Sequence, residues 1–305
     1  MNIIKPKKLK KGDTIGIISL SGAVKDPQRI YDCQNFFEER GYRTVLSENI
    51  FDTKRYLAGD DDKKVRCLEE FFKNPDIDAI LCSRGGYGAI RIVNKIDYDL
   101  IRHNPKIFAG YSDVTALSVM MLKRSNLVTF SAPMASGDFG IEDVSEFTQN
   151  EFFKTLSYKG DMDFKTENSQ VYCEGLAQGI LFGGNLSTVV SLCGLDFIPD
   201  EKFIFFAEDL NEDVYRIDKM FNQLINIEKF EKNLAGIVLG EFLDITNPQF
   251  LKEFFEELAK RINRPIMGEF KITHAKEKLT IPIGAYATMD TDKKTINIKN
   301  YLSDI

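Results

Sequence analysis

The chain has 305 residues, 43% of them hydrophobic, which is enough for one large domain or two domains of ordinary size. Its 40 lysines and arginines against 46 aspartates and glutamates give a net charge of −6, which argues against a general attraction to nucleic acid or to anionic membranes. The five cysteines contain no CxxC pair, and no stretch approaches the roughly 20 apolar residues of a membrane-spanning helix, so we expect a soluble cytoplasmic protein with reduced thiols.

Strands and helices alternate in the first half of the chain. The predicted strands are 14–19, 42–47, 78–83, 106–110 and 127–132, and the predicted helices are 29–40, 61–74, 88–96 and 113–124. This alternation predicts an α/β domain with a mostly parallel sheet covered by helices on both faces. A ligand site in such a sheet lies beyond the carboxyl ends of the strands, where "SRGGYG" (83–88) and "GYSD" (110–113) both fall.

The pattern changes after about residue 140. Residues 142–170 are polar, and we interpret them as an irregular linker. The second half combines apolar stretches with predicted helices near 213–226 and 248–262 and a tail of short strands, which predicts a mixed, β-rich domain. The predicted division is a first domain over 1–145, a linker over 146–168 and a second domain over 169–305.

Ser112 lies where a predicted strand ends and a helix begins, so it is either a helix cap or a nucleophile at a strand-to-helix turn. The local "GYSDV" lacks the second glycine of G-x-S-x-G. A base for such a serine has to be one of two histidines, of which His103 lies in a polar loop and His274 is better placed, before a "PIG" turn. The same two histidines, with no HExxH motif, give little support for a metal site.

The stretch "FIFFAED" brings two carboxylates to the end of an apolar strand. A buried carboxylate there needs a partner, and an imidazole would supply one. We interpret Glu208 as pointing into a cleft and Asp209 as lying near the start of the helix predicted at 213–226. Ser112, Glu208 and His274 follow the chain order of α/β-hydrolase triads, although three residues of these types occur in most chains.

The glycine turn "CSRGGYGAI" (82–90) lets the backbone approach another group closely. From Gly86 the letters fail the G-x-G-x-x-G dinucleotide pattern at the last position, whereas free N–H groups would suit an oxyanion hole. Arg84 in this turn either binds a substrate carboxylate or forms a structural ion pair. Asn185, in "GGN", either shapes a backbone turn or lines the cleft.

Six stretches together resemble the LD-carboxypeptidase family of serine peptidases, in the family's order and at roughly its spacing, over about residues 11–290. They are "GDTIGIISLSG", "CSRGGYGAIRIV", "FAGYSDVTAL", "GGNLSTVVSLCG", "FFAEDLNEDVYRIDKMFNQL" and "THAKEKLTIPIGAYATMD". The resemblance implies a Rossmann-like N-terminal domain, a β-rich C-terminal domain and a site between them, often in a homodimer, with no cofactor and no metal.

The resemblance also assigns roles. It implies that Ser112 is the nucleophile, His274 the base and Glu208 the acid of a triad, with backbone N–H groups of Gly86 and Asp113 forming the oxyanion hole. The implied reaction is hydrolysis of the amide before a terminal D-alanine in a murein tetrapeptide, during cytoplasmic recycling of cell-wall fragments. Arg84 is our candidate for binding the free carboxylate of the substrate.

Other functions stay open at this point. A second branch of the family resembles the microcin C immunity peptidases, which cleave an amide to a nucleotide-like group and stack an aromatic ring on the base. This chain has no tryptophan, but Phe139 or Tyr172 could take that position. A non-catalytic binding protein and a nucleotide-binding oxidoreductase are the remaining alternatives, and the failed glycine pattern disfavours the latter.

Overall fold

Two β-sheets form the framework of the fold in the computed structural model, which describes residues 2–166 and 169–304. Over these residues the first sheet contains six strands and the second contains eight. Helices cover the sheets, and large aromatic and aliphatic side chains fill the space between the layers.

The first sheet is built mainly from the first half of the chain. Across the sheet its strands are β12 (Ile281–Ile283), β5 (Thr129–Ser131), β4 (Ile107–Ala109), β3 (Ala79–Cys82), β1 (Thr14–Ile18) and β2 (Arg43–Leu46). Its helices are α1 (Gln28–Glu38), α2 (Asp61–Lys73), α3 (Tyr98–His103) and α4 (Thr115–Ser125). All strands except β12 are parallel, and β1 and β3 are fully buried, as the alternating pattern predicts.

The helix predicted over 88–96 is wrong. Only Ala89–Arg91 forms a single 3-10 turn, and the next α-helix, α3, begins at Tyr98. Gly86 and Gly88 have φ of +118° and +141°, which an α-helix does not accept. The hydroxyl of Tyr98 donates to the carbonyl oxygen of Val93 at 2.7 Å, so a side chain takes the acceptor that a helical N–H would use.

The interpretation of 142–170 as irregular is also wrong. Helix α5 (Glu146–Ser157) begins after Ser145, whose hydroxyl accepts from the N–H of Thr148 at 3.3 Å, and it buries Phe152 and Leu156. Strand β6 (Met162–Lys165) follows and joins the second sheet. Polar residues dominate this segment because each element buries only one face. Glu167 and Asn168, at the end of the predicted linker, lie outside the described residues.

The second sheet is mixed, as predicted. Across it the strands are β6, β14 (Thr295–Ile298), β13 (Tyr286–Asp290), β8 (Leu176–Asn185), β9 (Phe203–Leu210), β10 (Leu234–Leu243), β11 (Ile266–Met267) and β7 (Val171–Cys173). The four strands from β8 to β11 are parallel, and the flanking strands are antiparallel. Its helices are α6 (Leu186–Ser191), α7 (Val214–Ile225), α8 (Glu228–Asn233) and α9 (Pro248–Ile262).

The two sheets meet through the elements that carry the predicted site. Strand β12 follows the loop of His274 and pairs with β5, so the second half of the chain completes the first sheet. At the end of β8, a β-carbon on Gly184 would lie 2.5 Å from Thr115 at the start of α4. The domain boundaries at 145 and 168 stay a prediction. Strand β12, from beyond residue 168, pairs with β5 in the first sheet.

Among the described residues, we find no helix with both the length and the apolar composition required to cross a membrane.

Gly183 supports the strand end that leads to this junction. Its φ is +142°, and a β-carbon there would lie 1.9 Å from the carbonyl oxygen of Phe206 on β9. We expect Gly183→Ala to lower the free energy of unfolding by about 4 kcal/mol, because a strand backbone has to move. Gly194→Ala is the matched control, since Gly194 has φ of +104° but open space around it.

For Gly194→Ala the expected loss is about 1 kcal/mol, from backbone strain alone. Urea unfolding of both variants measures the difference. Equal losses of unfolding free energy in the two variants would show that the contact with Phe206 does not contribute to the effect.

Candidate active site

Ser112 lies on a strained turn between β4 and α4. Strand β4 ends at Ala109, and a 3-10 turn, Ser112–Val114, leads into the helix. The φ of Ser112 is +60°, a region that serine rarely adopts and that concentrates at functional sites. In the part of the chain that the structure describes, the Ser112 hydroxyl caps no backbone N–H of this turn or of α4, so the helix-cap interpretation is wrong.

The glycine turn after β3 approaches Ser112 directly. A β-carbon on Gly85 would lie 2.8 Å from both Cβ and Oγ of Ser112, so only glycine permits this approach. The carbonyl oxygen of Gly85 accepts a hydrogen bond from the N–H of Gly22 at 3.2 Å. In a trans peptide the carbonyl and the following N–H point in opposite directions, so the N–H of Gly86 points away from Gly22.

The side chain of Asp113 connects the turn that carries Ser112 to the glycine turn. One of its carboxylate oxygens accepts from the N–H of Ala89 at 2.8 Å. Burial raises the pKa of Asp113, and the hydrogen bond from Ala89 and the charge of Lys64 oppose that shift. The carboxylate therefore has a structural partner, while the backbone N–H of Asp113 lies beside Gly85.

Glu208 and His274 are joined by a hydrogen bond. Oε2 of Glu208 lies 2.7 Å from Nδ1 of His274, and the side chains are 4% and 15% exposed. Burial raises the pKa of Glu208, and the hydrogen bond and the charge interaction with His274 oppose the shift. Glu208 comes from the end of β9 and His274 from the loop between β11 and β12, so both carboxylate and imidazole have the partner that the sequence suggested.

Asp209 caps a different helix from the one expected. Its carboxylate accepts from the N–H of Ser187 at 2.8 Å and from the side-chain amide of Asn185 at 3.0 Å, at the start of α6. The Asn185 side chain in turn accepts from the N–H of Thr188 at 3.1 Å. Asn185 therefore has the structural role that the sequence left open, and it pairs in register with Glu208 across β8 and β9.

A buried ion pair lies on the other side of His274. The ammonium of Lys278 pairs with the carboxylate of Asp138, and it donates to the hydroxyl of Tyr111 at 3.1 Å. The ring of Tyr111 meets the imidazole of His274 edge-on, with centroids 4.9 Å apart. Burial and the neighbouring charges of Asp138 and Glu208 raise the pKa of Tyr111 well above its ordinary value. His274 is thus held between Glu208 and Tyr111.

A cavity of about 420 Å³ opens above these groups. It is lined by Lys25, Asp26, Arg29, Arg84, Gly85, Gly86, Tyr111, Ser112, Met134, Ser136, Gly137 and His274. The structure thus brings together Ser112, His274, Arg84 and Gly86 at one cavity, with Glu208 behind the imidazole. Within the described residues, no hydrogen bond joins Ser112 to His274, and such catalytic contacts commonly tighten only when substrate binds.

Arg84 donates to the carbonyl oxygen of Ala23 at 2.9 Å, and over residues 2–166 and 169–304 it forms no ion pair.

The remaining candidate residues from the sequence lie away from this cavity. His103 is exposed at the end of α3, as expected. Phe139 is buried among core phenylalanines and is not available to stack on a nucleobase, and Tyr172 lines a separate cavity beside Phe255.

Sequence reasoning missed Tyr111, Asp138 and Lys278. Tyr111 lies inside the "GYSD" motif, and its place next to the serine is the one signal that was available. Asp138 sits in a short π-helical turn, and Lys278 follows His274 by four residues in an irregular loop. Neither position shows a periodicity that would predict burial of a charge.

Comparisons with known proteins agree on one family. A family model described as the LD-carboxypeptidase N-terminal domain matches residues 15–132, and the corresponding C-terminal domain model matches residues 178–289. The probable murein peptide carboxypeptidase of Bacillus subtilis is 37% identical over 98% of this chain and 96% of that protein.

Solved structures show the same likeness. The microcin C7 self-immunity protein MccF, in its wild-type apo state, superposes with a TM-score of 0.91 at 26% identity, covering 98% of this chain and 100% of that one. The muramoyltetrapeptide carboxypeptidase of Oxalobacter formigenes superposes with a TM-score of 0.86 at 27% identity, covering 95% and 100%.

The buried Lys278–Asp138 pair gives a stability prediction. Asp138→Asn leaves the ammonium of Lys278 buried without its counter-charge, and we expect a loss of about 3–5 kcal/mol in the free energy of unfolding. The control is Asp143→Asn, because the Lys276–Asp143 pair is exposed and should contribute less than about 1 kcal/mol. Urea unfolding compares them, and similar losses in the two variants would contradict the prediction.

Glu208 gives a pH prediction. Its raised pKa means that the folded protein holds this proton more tightly than the unfolded chain does. The stability contributed by the group is therefore full below its ordinary pKa of 4.5 and is lost as the pH rises through the folded pKa. We expect the free energy of unfolding of Glu208→Gln, relative to wild type, to increase as the pH rises above 4.5. A difference that stays constant or falls with pH in unfolding titrations would contradict it.

Proposed function

We propose that this chain, which belongs to the LD-carboxypeptidase family and is a serine-type carboxypeptidase, hydrolyses the amide before the terminal D-alanine of murein tetrapeptides. The observation that carries the proposal is the Glu208–His274 hydrogen bond beside a cavity that also exposes Ser112 on a strained turn. The proposed setting is the cytoplasmic recycling of cell-wall fragments, and the proposed assembly is a homodimer.

In the proposed first step, Oγ of Ser112 attacks the carbonyl carbon of the scissile amide while Nε2 of His274 takes the hydroxyl proton. Glu208 holds the tautomer that donates from Nδ1 and stabilises the imidazolium. When the tetrahedral intermediate collapses, the carbon–nitrogen bond breaks and His274 gives the proton to the amine of D-alanine. Water, deprotonated by His274, then cleaves the serine ester and releases the shortened peptide.

The proposed oxyanion hole consists of the backbone N–H groups of Gly86 and Asp113. The N–H of Gly86 is directed away from Gly22, and Gly86 lines the cavity. The N–H of Asp113 follows the nucleophile and lies at the start of the turn into α4, where the helix dipole favours negative charge. The Asp113–Ala89 hydrogen bond joins the two turns that carry these donors, which favours a preformed arrangement.

Arg84 is the proposed partner of the terminal carboxylate. It lines the cavity beside Ser112, and its bond to the carbonyl of Ala23 leaves most guanidinium donors available. A planar guanidinium binds a carboxylate through two parallel hydrogen bonds, which would select a free C-terminus and hence a carboxypeptidase rather than an endopeptidase.

A second candidate is hydrolysis of an aminoacyl- or peptidyl-nucleotide amide. The likeness to MccF favours it, and the exposed rings of Tyr56 and Tyr87 lie in a groove next to the cavity, where an aromatic base could stack. Phe139, which the sequence offered for that task, is buried.

Mass spectrometry of peptides tests the proposal. Wild-type protein should remove one D-alanine from L-Ala-γ-D-Glu-L-Lys-D-Ala or from its diaminopimelate counterpart. Ser112→Ala and His274→Ala should lower kcat by a factor on the order of 10⁴ or more with little loss of folding. His103→Ala, at the exposed histidine, is the matched control and should retain full activity.

Two outcomes would redirect the assignment. Unchanged turnover in Ser112→Ala would remove the serine mechanism. Cleavage of an aminoacyl sulfamoyl adenylate, with no D-alanine released from either peptide, would favour the nucleotide-peptide reaction.

A further inference from the structure

A second groove adjoins the catalytic cavity. It has a volume of about 600 Å³ and shares Lys25, Arg84 and Gly86 with the cavity at Ser112. Beyond these shared residues its walls come from Arg55, Tyr56 and Tyr87, together with the segment 22–24. The two cavities are therefore neighbours, and Arg84 lies at the boundary between them.

Backbone hydrogen bonds hold the groove in shape. Its walls are the loops that follow β1, β2 and β3, which meet at the carboxyl edge of the first sheet. The N–H of Ala23 donates to the carbonyl of Tyr56 at 3.1 Å, and Arg84 donates to Ala23 at 2.9 Å. Arg55 has a φ of +63°, which is rare for arginine and is the kind of strain that persists at functional positions.

The groove is positively charged in a protein whose net charge is −6. Neither Lys25 nor Arg55 nor Arg84 forms an ion pair with any described carboxylate, and the groove lining contains no acidic residue. The nearby carboxylates are already engaged: Asp52 pairs with Lys63 at 2.9 Å, and Asp60 pairs with Lys54 at 2.7 Å. Asp26, which lines the adjoining cavity next to Lys25, pairs with Arg29 at 3.7 Å. Uncompensated cations in a preformed groove indicate an anionic ligand.

The aromatic wall of the groove, formed by Tyr56 and Tyr87, sets a second requirement for the ligand. The rings of Tyr56 and Tyr87 lie 5.8 Å apart, and both are exposed. The guanidinium carbon of Arg55 lies 5.7 Å from the centroid of the Tyr56 ring. This cation–π contact favours an Arg55 side chain that lies along the aromatic wall. Such a wall suits an aliphatic arm that ends in a carboxylate.

The chemistry of the substrate identifies that arm, if the proposed function holds. The terminal D-alanine has only a methyl side chain and ends at the carboxylate that Arg84 is proposed to bind. The side chain of the preceding diamino acid begins next to the scissile carbonyl and is long enough to pass Arg84. In lysine it ends in an ammonium alone, whereas in diaminopimelate it carries a carboxylate as well.

We propose that Lys25 and Arg55 form a carboxylate subsite that selects diaminopimelate over lysine at the position before the cleaved bond. A lysine ammonium would enter a groove of like charge with no acidic partner. The diaminopimelate carboxylate would meet two cations, and its methylene groups would pack on Tyr56 and Tyr87.

Three tetrapeptides test the subsite: one with diaminopimelate, one with the side-chain carboxylate of diaminopimelate converted to the amide, and one with lysine. We expect wild-type KM for the first to be lower by about fivefold than for the other two, as expected for a partly exposed charge pair. Arg55→Gln or Lys25→Gln should raise KM for the first peptide to the level of the others, and Arg55→Lys should restore part of the preference.

Lys54→Gln is the matched control, since Lys54 precedes Arg55 but is paired with Asp60 and lies outside the groove. Equal KM values for the carboxylate and the amide in wild type would overturn the inference. So would variants that weaken all three peptides equally, since that result would place another carboxylate, such as that of the glutamate, in the groove.

Failure of the proposed function is distinguishable from failure of the subsite. If no peptide loses D-alanine, equilibrium binding of the three peptides to Ser112→Ala decides the second question. Binding that prefers the free carboxylate and depends on Arg55 would support the subsite, and equal or absent binding would overturn it.

Discussion

The buried hydrogen bond between Glu208 and His274 is the interaction on which the rest of the site depends. A carboxylate on a side chain that is 4% exposed, at the end of a strand, is costly unless a donor satisfies it. His274 is that donor, and it lies on the loop that carries the chain from the second sheet back to β12 in the first. The same loop therefore connects the sheets and brings the imidazole to the cavity where Ser112 lies.

The turn that carries Ser112 shows how local strain is maintained by its surroundings. Ser112 keeps a positive φ because β4 and α4 are both buried and the turn has no room to relax. Gly85 lies against its hydroxyl, and the Asp113 carboxylate connects this turn to Ala89. Two turns from separate strands are thus joined into one unit, and Gly85, Gly86 and Ser112 from these turns line a common cavity.

Charge is distributed unevenly around this unit. Behind His274, Lys278 is neutralised by Asp138 and gives structural support through Tyr111. In front of it, Lys25, Arg55 and Arg84 have no carboxylate partner among the described residues. The paired cation is buried and serves the fold, whereas the uncompensated cations line the open cavities, where a ligand can supply the missing charge.

The sequence by itself determined the alternating first half and the mixed second half. It also identified Ser112 and His274 at the cavity and Glu208 behind the imidazole, because strand ends and glycine turns have strong local signals. Each of these three residues was identifiable from its type and from its place at the end of a predicted strand or in a loop. The family resemblance, rather than spacing, placed them together.

Tertiary structure alone decided the rest. The segment 88–96 forms only a 3-10 turn, which begins after a glycine at positive φ and is followed by the hydrogen bond from Tyr98 to a backbone carbonyl. Asp209 caps α6 because β8 and β9 are neighbours in space. The Lys278–Asp138 pair, the return of β12 to the first sheet and the cationic groove all join residues far apart in the chain. Such contacts depend on which elements pack together, and no local pattern of residues records that.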